Sequence, residues 1–359
     1  MYLLIGLVII AFIVWAFERF YVRGTGEQNH PTPADPDSVI RFSDSPGSEP
    51  AQEVVKNAVK DITSQIAQAV KKGRMQAARA SIDSMSDGRV YMSKFSAVDA
   101  GGIPAEWVVA PGANPARRVL YIHGGGFIMG SPKSHRTITS KFSEITGCAV
   151  LAIDYRLLPE HKHMDCVEDC RTAYRWLLEN GPDGPAGLQQ LFLGGDSAGG
   201  NLALSLTAWV RDNKLRAPDA VIALSPLTDC TFSGKSIHKN QSTDIMLEPV
   251  MRPLNKLPRF LKSWWVVWTH GMRPANPVAS PLMGNLSGLP PTLIQVSEAE
   301  MLLDDSRRYV YKACAAGSPV KLQTWPDMVH VWQIFDPDLP QAAEAWTEIG
   351  SFLQARTPA

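Results

Sequence analysis

The chain has no excess charge of either sign. Lysine plus arginine and aspartate plus glutamate both number 35 among 359 residues, a formal net charge of zero. Without a basic excess there is no electrostatic footprint for a polyanion, so no nucleic-acid partner is expected. Cysteine is also scarce. Cys148, Cys166, Cys170, Cys230 and Cys314 are an odd number with no CxxC pair. That excludes a dense disulfide framework and offers no zinc pattern, so buried free thiols are expected. Only "HKHMDCVEDC", His161 to Cys170, gathers metal-ligand types. Local spacing alone does not make them converge, and no metal is expected. There is no internal repeat. With 45% hydrophobic residues, the chain can bury a sizeable core.

"MYLLIGLVIIAFIVWAF", Met1 to Phe17, is apolar throughout and is followed by Glu18 and Arg19. As a helix it would cover roughly 26 Å, slightly short of a bilayer core of about 30 Å. Arg19 and Arg23 reaching outward, with Trp15, Phe20 and Tyr21 as interface anchors, would close the gap. A cleaved signal would begin with Lys or Arg and end in small residues, and neither is present. Residues 1–23 therefore predict a single-pass transmembrane anchor and a membrane partner, and the arginines after the span favour a cytoplasmic body. Residues 24–50, rich in Pro, Gly, Ser and Asp, predict a linker.

The body is expected over 51–359. Val55, Val59, Ile62, Ile66 and Val70 recur at helical spacing within 51–85. Two strand-like runs follow, Val90 to Val98 and Ile103 to Val109, joined by a hairpin turn. Short apolar strands then alternate with helical segments, which predicts a mostly parallel sheet covered on both faces. Residues 230–275 interrupt that rhythm with Phe260, Trp264, Trp265 and Trp268, and predict a helical cap shared with 51–85. The aromatics suit either an apolar substrate pocket or the core of the cap.

In such sheets ligands gather beyond the carboxyl ends of the strands, and the glycine-rich and charged clusters all fall there. "LFLGGDSAGGNLALSL", Leu191 to Leu206, reads as a buried strand, a tight turn at Ser197 and an amphipathic helix. That turn strains the central residue, projects its hydroxyl above the sheet and sets it at a helix N-terminus. The similar GDSGG string of chymotrypsin-like proteases belongs to antiparallel barrels, which the strand and helix alternation excludes. "YIHGGGFIMGS", Tyr121 to Ser131, allows backbone N–H groups to converge. Gly125 and Gly126, joined by the N–H of Ala198, are read as an oxyanion hole, with His123 holding the loop. A serine nucleophile needs a base and an orienting carboxylate downstream. "KLQTWPDMVHVWQIF" supplies His330, and "TLIQVSEAEMLLDDS" supplies Glu298, Glu300 and Asp304.

At this point the chain resembles the hormone-sensitive lipase-like branch of the α/β-hydrolases. The resemblance rests on HGGGF (His123, Gly124, Gly125, Gly126, Phe127), DYRLxPEH (Asp154 to His161) and GDSAGGN (Gly195 to Asn201, with Asp196 and Ser197), and covers roughly residues 85 to 355. It implies an α/β-hydrolase with a helical cap, no metal or organic cofactor, and a small-molecule ester as substrate. Short to medium-chain esters, including lipid-derived ones, would be cleaved through an acyl-enzyme. An amidase or deacetylase using the same residues, and a non-catalytic receptor on the same fold, are the alternatives. One departure stands out: many members carry DPLxD where this chain has Glu300-Met301-Leu302-Leu303-Asp304. Glu300 is therefore ranked first as the orienting acid, ahead of Glu298 and Asp304.

Overall fold

The computed structural model describes residues 2–22, 33, 35–43 and 47–356. Nine strands build one sheet: β1 Val39–Arg41, β2 Lys94–Asp99, β3 Pro104–Val109, β4 Asn114–Ile122, β5 Cys148–Ile153, β6 Gln190–Asp196, β7 Ala220–Leu224, β8 Thr292–Ser297 and β9 Val320–Trp325. Their spatial order is β1-β9-β8-β7-β6-β4-β5-β3-β2. All neighbours run parallel except the edge pairs β5/β3 and β3/β2, which are antiparallel.

β5, β6, β7 and β8 are buried at every residue, as strands covered on both faces must be. β5 shows the two faces: Ala149, Leu151 and Ile153 enter one core, Cys148 and Val150 the other. The helices, in chain order, are α1 Tyr2–Ala16, α2 Glu49–Lys71, α3 Met75–Asp83, α4 Arg136–Thr146, α5 His163–Glu179, α6 Ser197–Asp212, α7 Ser236–Lys239, α8 Glu248–Asn255, α9 Arg259–His270, α10 Leu303–Ala315 and α11 Pro340–Gln354. α5, α6 and α10 fill the first core, and α4, α11 and the start of α2 fill the second.

β2 begins at Lys94, later than the apolar run that starts at Val90. Its pairing with β3 ends at Lys94 opposite Val109, leaving Val90 and Met92 exposed. Within 24–50, Val39–Arg41 is an edge strand whose Val39 pairs with Leu322 of β9, and α2 already starts at Glu49. The rest of that segment, residues 24–32, 34 and 44–46, lies outside the described residues. Residues 230–275 contribute α7, α8 and α9, and α8 packs against α2.

The transmembrane anchor is overturned. Among the described residues no helix is long and apolar enough to cross a membrane. α1 has 15 residues, about 22 Å at 1.5 Å per residue against the about 30 Å required. The chain then widens into a π-helical turn, Phe17–Val22, whose Glu18 and Val22 are buried. Phe17 stacks on Trp264 at 6.4 Å, the Arg273 guanidinium lies 5.1 Å from the Tyr21 ring, and Ala275 N–H donates to the Val22 carbonyl at 3.2 Å. Tyr21, read as an interface anchor, therefore packs on the protein. The single-pass location, the membrane partner and the preferred side of the body fall with the span. Arg23 lies outside the described residues.

Candidate active site

Three strand ends bring the site together. β6 ends at Asp196 and α6 starts at Ser197, whose φ of +52° is left-handed. Only a close approach of backbones permits so sharp a turn. A Cβ on Gly199 would lie 2.0 Å from the Ile122 carbonyl oxygen of the neighbouring strand. The first-turn N–H groups of α6, Ala198 among them, have no intrahelical acceptor and point toward the strand ends.

His330 follows β9, is buried, and its Nε2 stands 2.9 Å from Ser197 Oγ. Its Nδ1 donates to Glu300 Oε2 at 2.6 Å. Glu300 lies just beyond β8 and is fully buried. Its Oε1 accepts from Ser297 N–H and from Ser225 Oγ, both at 2.8 Å. Burial opposes a charge on His330. The Glu300 carboxylate and its hydrogen bond, with Asp244 and Asp196 more remotely, nevertheless hold its pKa above the ordinary histidine value. The two other carboxylates lead elsewhere. Glu298 pairs with Arg307 and accepts from Thr324 Oγ1, and Asp304 Oδ2 accepts from Ser236 N–H.

The glycine loop after β4 closes the other side. Gly125 has φ +108°, and a Cβ there would lie 2.2 Å from the Met129 carbonyl oxygen. Gly126 follows at φ +64°. His123 stacks on Tyr155 at 4.4 Å, and its Nδ1 donates to the Gly124 carbonyl at 2.8 Å. Burial, with His135 beside it, depresses the His123 pKa to about 3, so the ring is neutral. Asp196 ties this loop to the serine turn: Oδ1 accepts from Tyr121 Oη at 2.6 Å and Gly124 N–H at 3.0 Å, and Oδ2 from His135 Nε2 at 3.3 Å.

Sequence reasoning missed Ser225, His135 and Asp244. Ser225 sits in "LSPLTD" at the end of β7, and the strand-end logic that found the other groups would have found it. His135 and Asp244 carry no local signal. The His161–Cys170 stretch serves the fold. Asp169 accepts from Arg156 through both oxygens, Glu168 pairs with Arg171, and burial pushes the Cys166 thiol up to about 12. His163 stacks on His270 of α9 at 4.9 Å, and both meet the Phe127 ring edge to face. Phe260, Trp264, Trp265 and Trp268 are 47, 40, 39 and 78% exposed, while α9 buries Lys262, Ser263, Val266 and His270. These four aromatics therefore lie on the exposed side of α9.

The fold, with a serine at the strand-to-helix turn, defines an α/β-hydrolase, and residues 119–334 match the family model described as the alpha/beta hydrolase fold. An acetyl-hydrolase of Streptomyces hygroscopicus is 38% identical over 271 residues, covering 75% of this chain and 86% of that protein. An esterase of the bacterial hormone-sensitive lipase (HSL) family superposes with TM-score 0.70 at 35% identity, covering 83% of this chain and 97% of the other. The esterase EstE5, soaked with p-nitrophenyl butyrate, superposes with TM-score 0.72 at 34% identity, covering 86% of this chain and 98% of the other. The chain belongs to the hormone-sensitive lipase-like family of α/β-hydrolases. It is a serine ester hydrolase of the carboxylesterase and lipase type, acting through an acyl-enzyme.

Proposed function

We propose that Ser197 is the nucleophile, His330 its base and Glu300 the acid that orients the base, acting on short to medium-chain carboxylic esters. The observation that carries this is the unbroken hydrogen-bonded line from Glu300 Oε2 through His330 to Ser197 Oγ. Ser197 Oγ gives its proton to His330 Nε2 as it bonds to the ester carbonyl carbon. The carbonyl oxygen becomes an oxyanion, received by the N–H groups of Gly125, Gly126 and Ala198. When the tetrahedral intermediate collapses, His330 returns the proton to the departing alkoxide and leaves an acyl-serine. Water then gives a proton to His330 and attacks the acyl carbon, and the proton returns to Ser197 Oγ as the acid leaves. His123, Gly124 and Asp196 keep the glycine loop in register with Ser197. A small acyl group is in keeping with the relative named an acetyl-hydrolase.

The test is hydrolysis of p-nitrophenyl esters of graded acyl length, with a fluorophosphonate probe as a direct report on the serine. Ser197→Ala is expected to abolish both turnover and labelling. Wild-type turnover in that variant would overturn the assignment.

A further inference from the structure

The catalytic acid is held by the cap. Glu300 lies in a short turn after β8, and side chains of residues 236–244, in the cap insertion, bond to the backbone of that turn at one residue after another. Asn240 Nδ2 donates to the carbonyls of Glu298 and Glu300, both at 2.8 Å. Thr243 Oγ1 donates to the Ala299 carbonyl at 2.8 Å, and Ser236 Oγ to the Met301 carbonyl at 2.7 Å. Asp244 Oδ2 accepts from Met301 N–H at 2.9 Å, while its Oδ1 accepts from Leu247 N–H at 3.0 Å. Buried backbone groups need partners. Here four successive carbonyls, from Glu298 to Met301, find them in a segment more than fifty residues earlier in the chain.

Asp244 adds charge to this clamp. It is 2% exposed, and its carboxyl lies close enough to His330 and Glu300 for their charges to act on it. A buried carboxylate to which, among the described residues, no lysine or arginine is bonded is costly unless it does something for its neighbours. Next to an imidazole that must become cationic in each half of the reaction, a second negative charge favours the cation. Glutamate at the acid position makes the clamp matter more. Its longer side chain has one more rotatable bond than aspartate, so the backbone that carries it must be fixed more firmly for Oε2 to meet His330 Nδ1.

We propose that Asp244 and Asn240 are positioning residues for the Glu300–His330 pair, so that seating the cap insertion sets the geometry and the charge of the catalytic base. The inference rests on the assignment of Ser197, His330 and Glu300 above. It makes the cap more than a lid: a displaced 236–244 segment releases the acid turn and disarms the base.

The groups facing Asp244 are His330 after β9 and Glu300 after β8. His330 is faced in addition by Asp196 at the end of β6. In the full-length enzyme, kcat/KM for p-nitrophenyl acetate is measured against pH. Asp244→Asn keeps an oxygen acceptor for Met301 N–H and removes the charge. Its acid limb is expected to move to lower pH by about 0.5 to 1 unit, because a charge that favoured imidazolium is gone. Asp244→Ala is expected to show the same displacement and also to lose kcat by about tenfold at unchanged KM, since Met301 N–H is left unpaired. Asn240→Ala is expected to lose kcat by about tenfold at unchanged KM, as the Glu298 carbonyl loses its donor and the Glu300 carbonyl keeps only Leu303 N–H, at 3.3 Å. A folded Asp244→Asn whose limb coincides with wild type overturns the proposal. A second measurement does not depend on turnover: the His330 Nδ1 proton resonance is expected to titrate at lower pH in Asp244→Asn than in wild type, and coincident titrations also overturn the proposal. Fluorophosphonate labelling of wild type separates the two levels. Labelling with an unmoved limb removes the inference alone, whereas an unlabelled wild type removes the serine assignment beneath it.

Discussion

Ser225 Oγ donates to Glu300 Oε1 at 2.8 Å and accepts from Val331 N–H at 3.3 Å, so one buried side chain fixes both Glu300 and the residue after His330. It does so from the left-handed region, at φ +46°. Ser225→Ala removes a hydrogen bond to a charged group, typically about 1.5 to 3 kcal/mol. kcat for p-nitrophenyl butyrate is expected to fall by about tenfold or more with KM little changed.

At position 300 the test is length against charge. Glu300→Asp keeps the carboxylate but withdraws it from His330 Nδ1, and is expected to cost roughly tenfold in kcat. Glu300→Gln removes the charge that favours imidazolium and is expected to cost on the order of 10³-fold. Equal losses in the two variants would mean that the charge is idle.

The pH profile follows from His330. As the proposed base it must be neutral to accept the serine proton, and its pKa is held above the ordinary histidine value. Activity is therefore lost as pH falls through that raised value, and the acid midpoint of kcat/KM is expected above about 6.5. A midpoint below 6.5 would contradict the charge arrangement described for Glu300 and Asp244.

The His163 and His270 stack predicts acid sensitivity at the cap. Burial depresses His163 to about 3, with His270 adding to the effect, and depresses His270 to about 4. Both rings fold neutral, so the unfolded chain binds more protons once pH drops below about 6.5. Stability is expected to be intact above that value and to decline steadily toward pH 4. His163→Phe is expected to flatten the decline, as read from thermal unfolding at a series of pH values.

Gly125→Ala places a methyl group where the Met129 carbonyl oxygen stands, at a backbone angle that side chains avoid. The loop must move, and turnover is expected to fall by at least about 10²-fold, the cost of a lost oxyanion donor. Retained labelling by the fluorophosphonate probe at a reduced rate would place the damage in the loop and not in the serine.

The parts of the fold legible in the sequence are those fixed by short-range pattern. The fully apolar runs of β5 and β7 announce a sheet buried on both faces, and the Gly195 to Gly199 turn announces itself because only glycines permit that approach. The first helix departs from its sequence pattern because apolar composition does not report where a helix stops. α1 stops after Ala16, and Phe17 to Val22 find partners, Trp264, Arg273 and Ala275, some 250 residues away. His135 and Asp244 were invisible for the same reason: a lone polar residue acquires meaning only from what the fold sets beside it.

The packing of Phe17 and Tyr21 on α9 and Arg273 makes residues 17–22 passengers of α9 and not of the sheet. An affinity tag or fusion partner added ahead of α1 thus pulls on α9 and the segment that follows it. One added after α11, which rests against the opposite core, pulls on the scaffold.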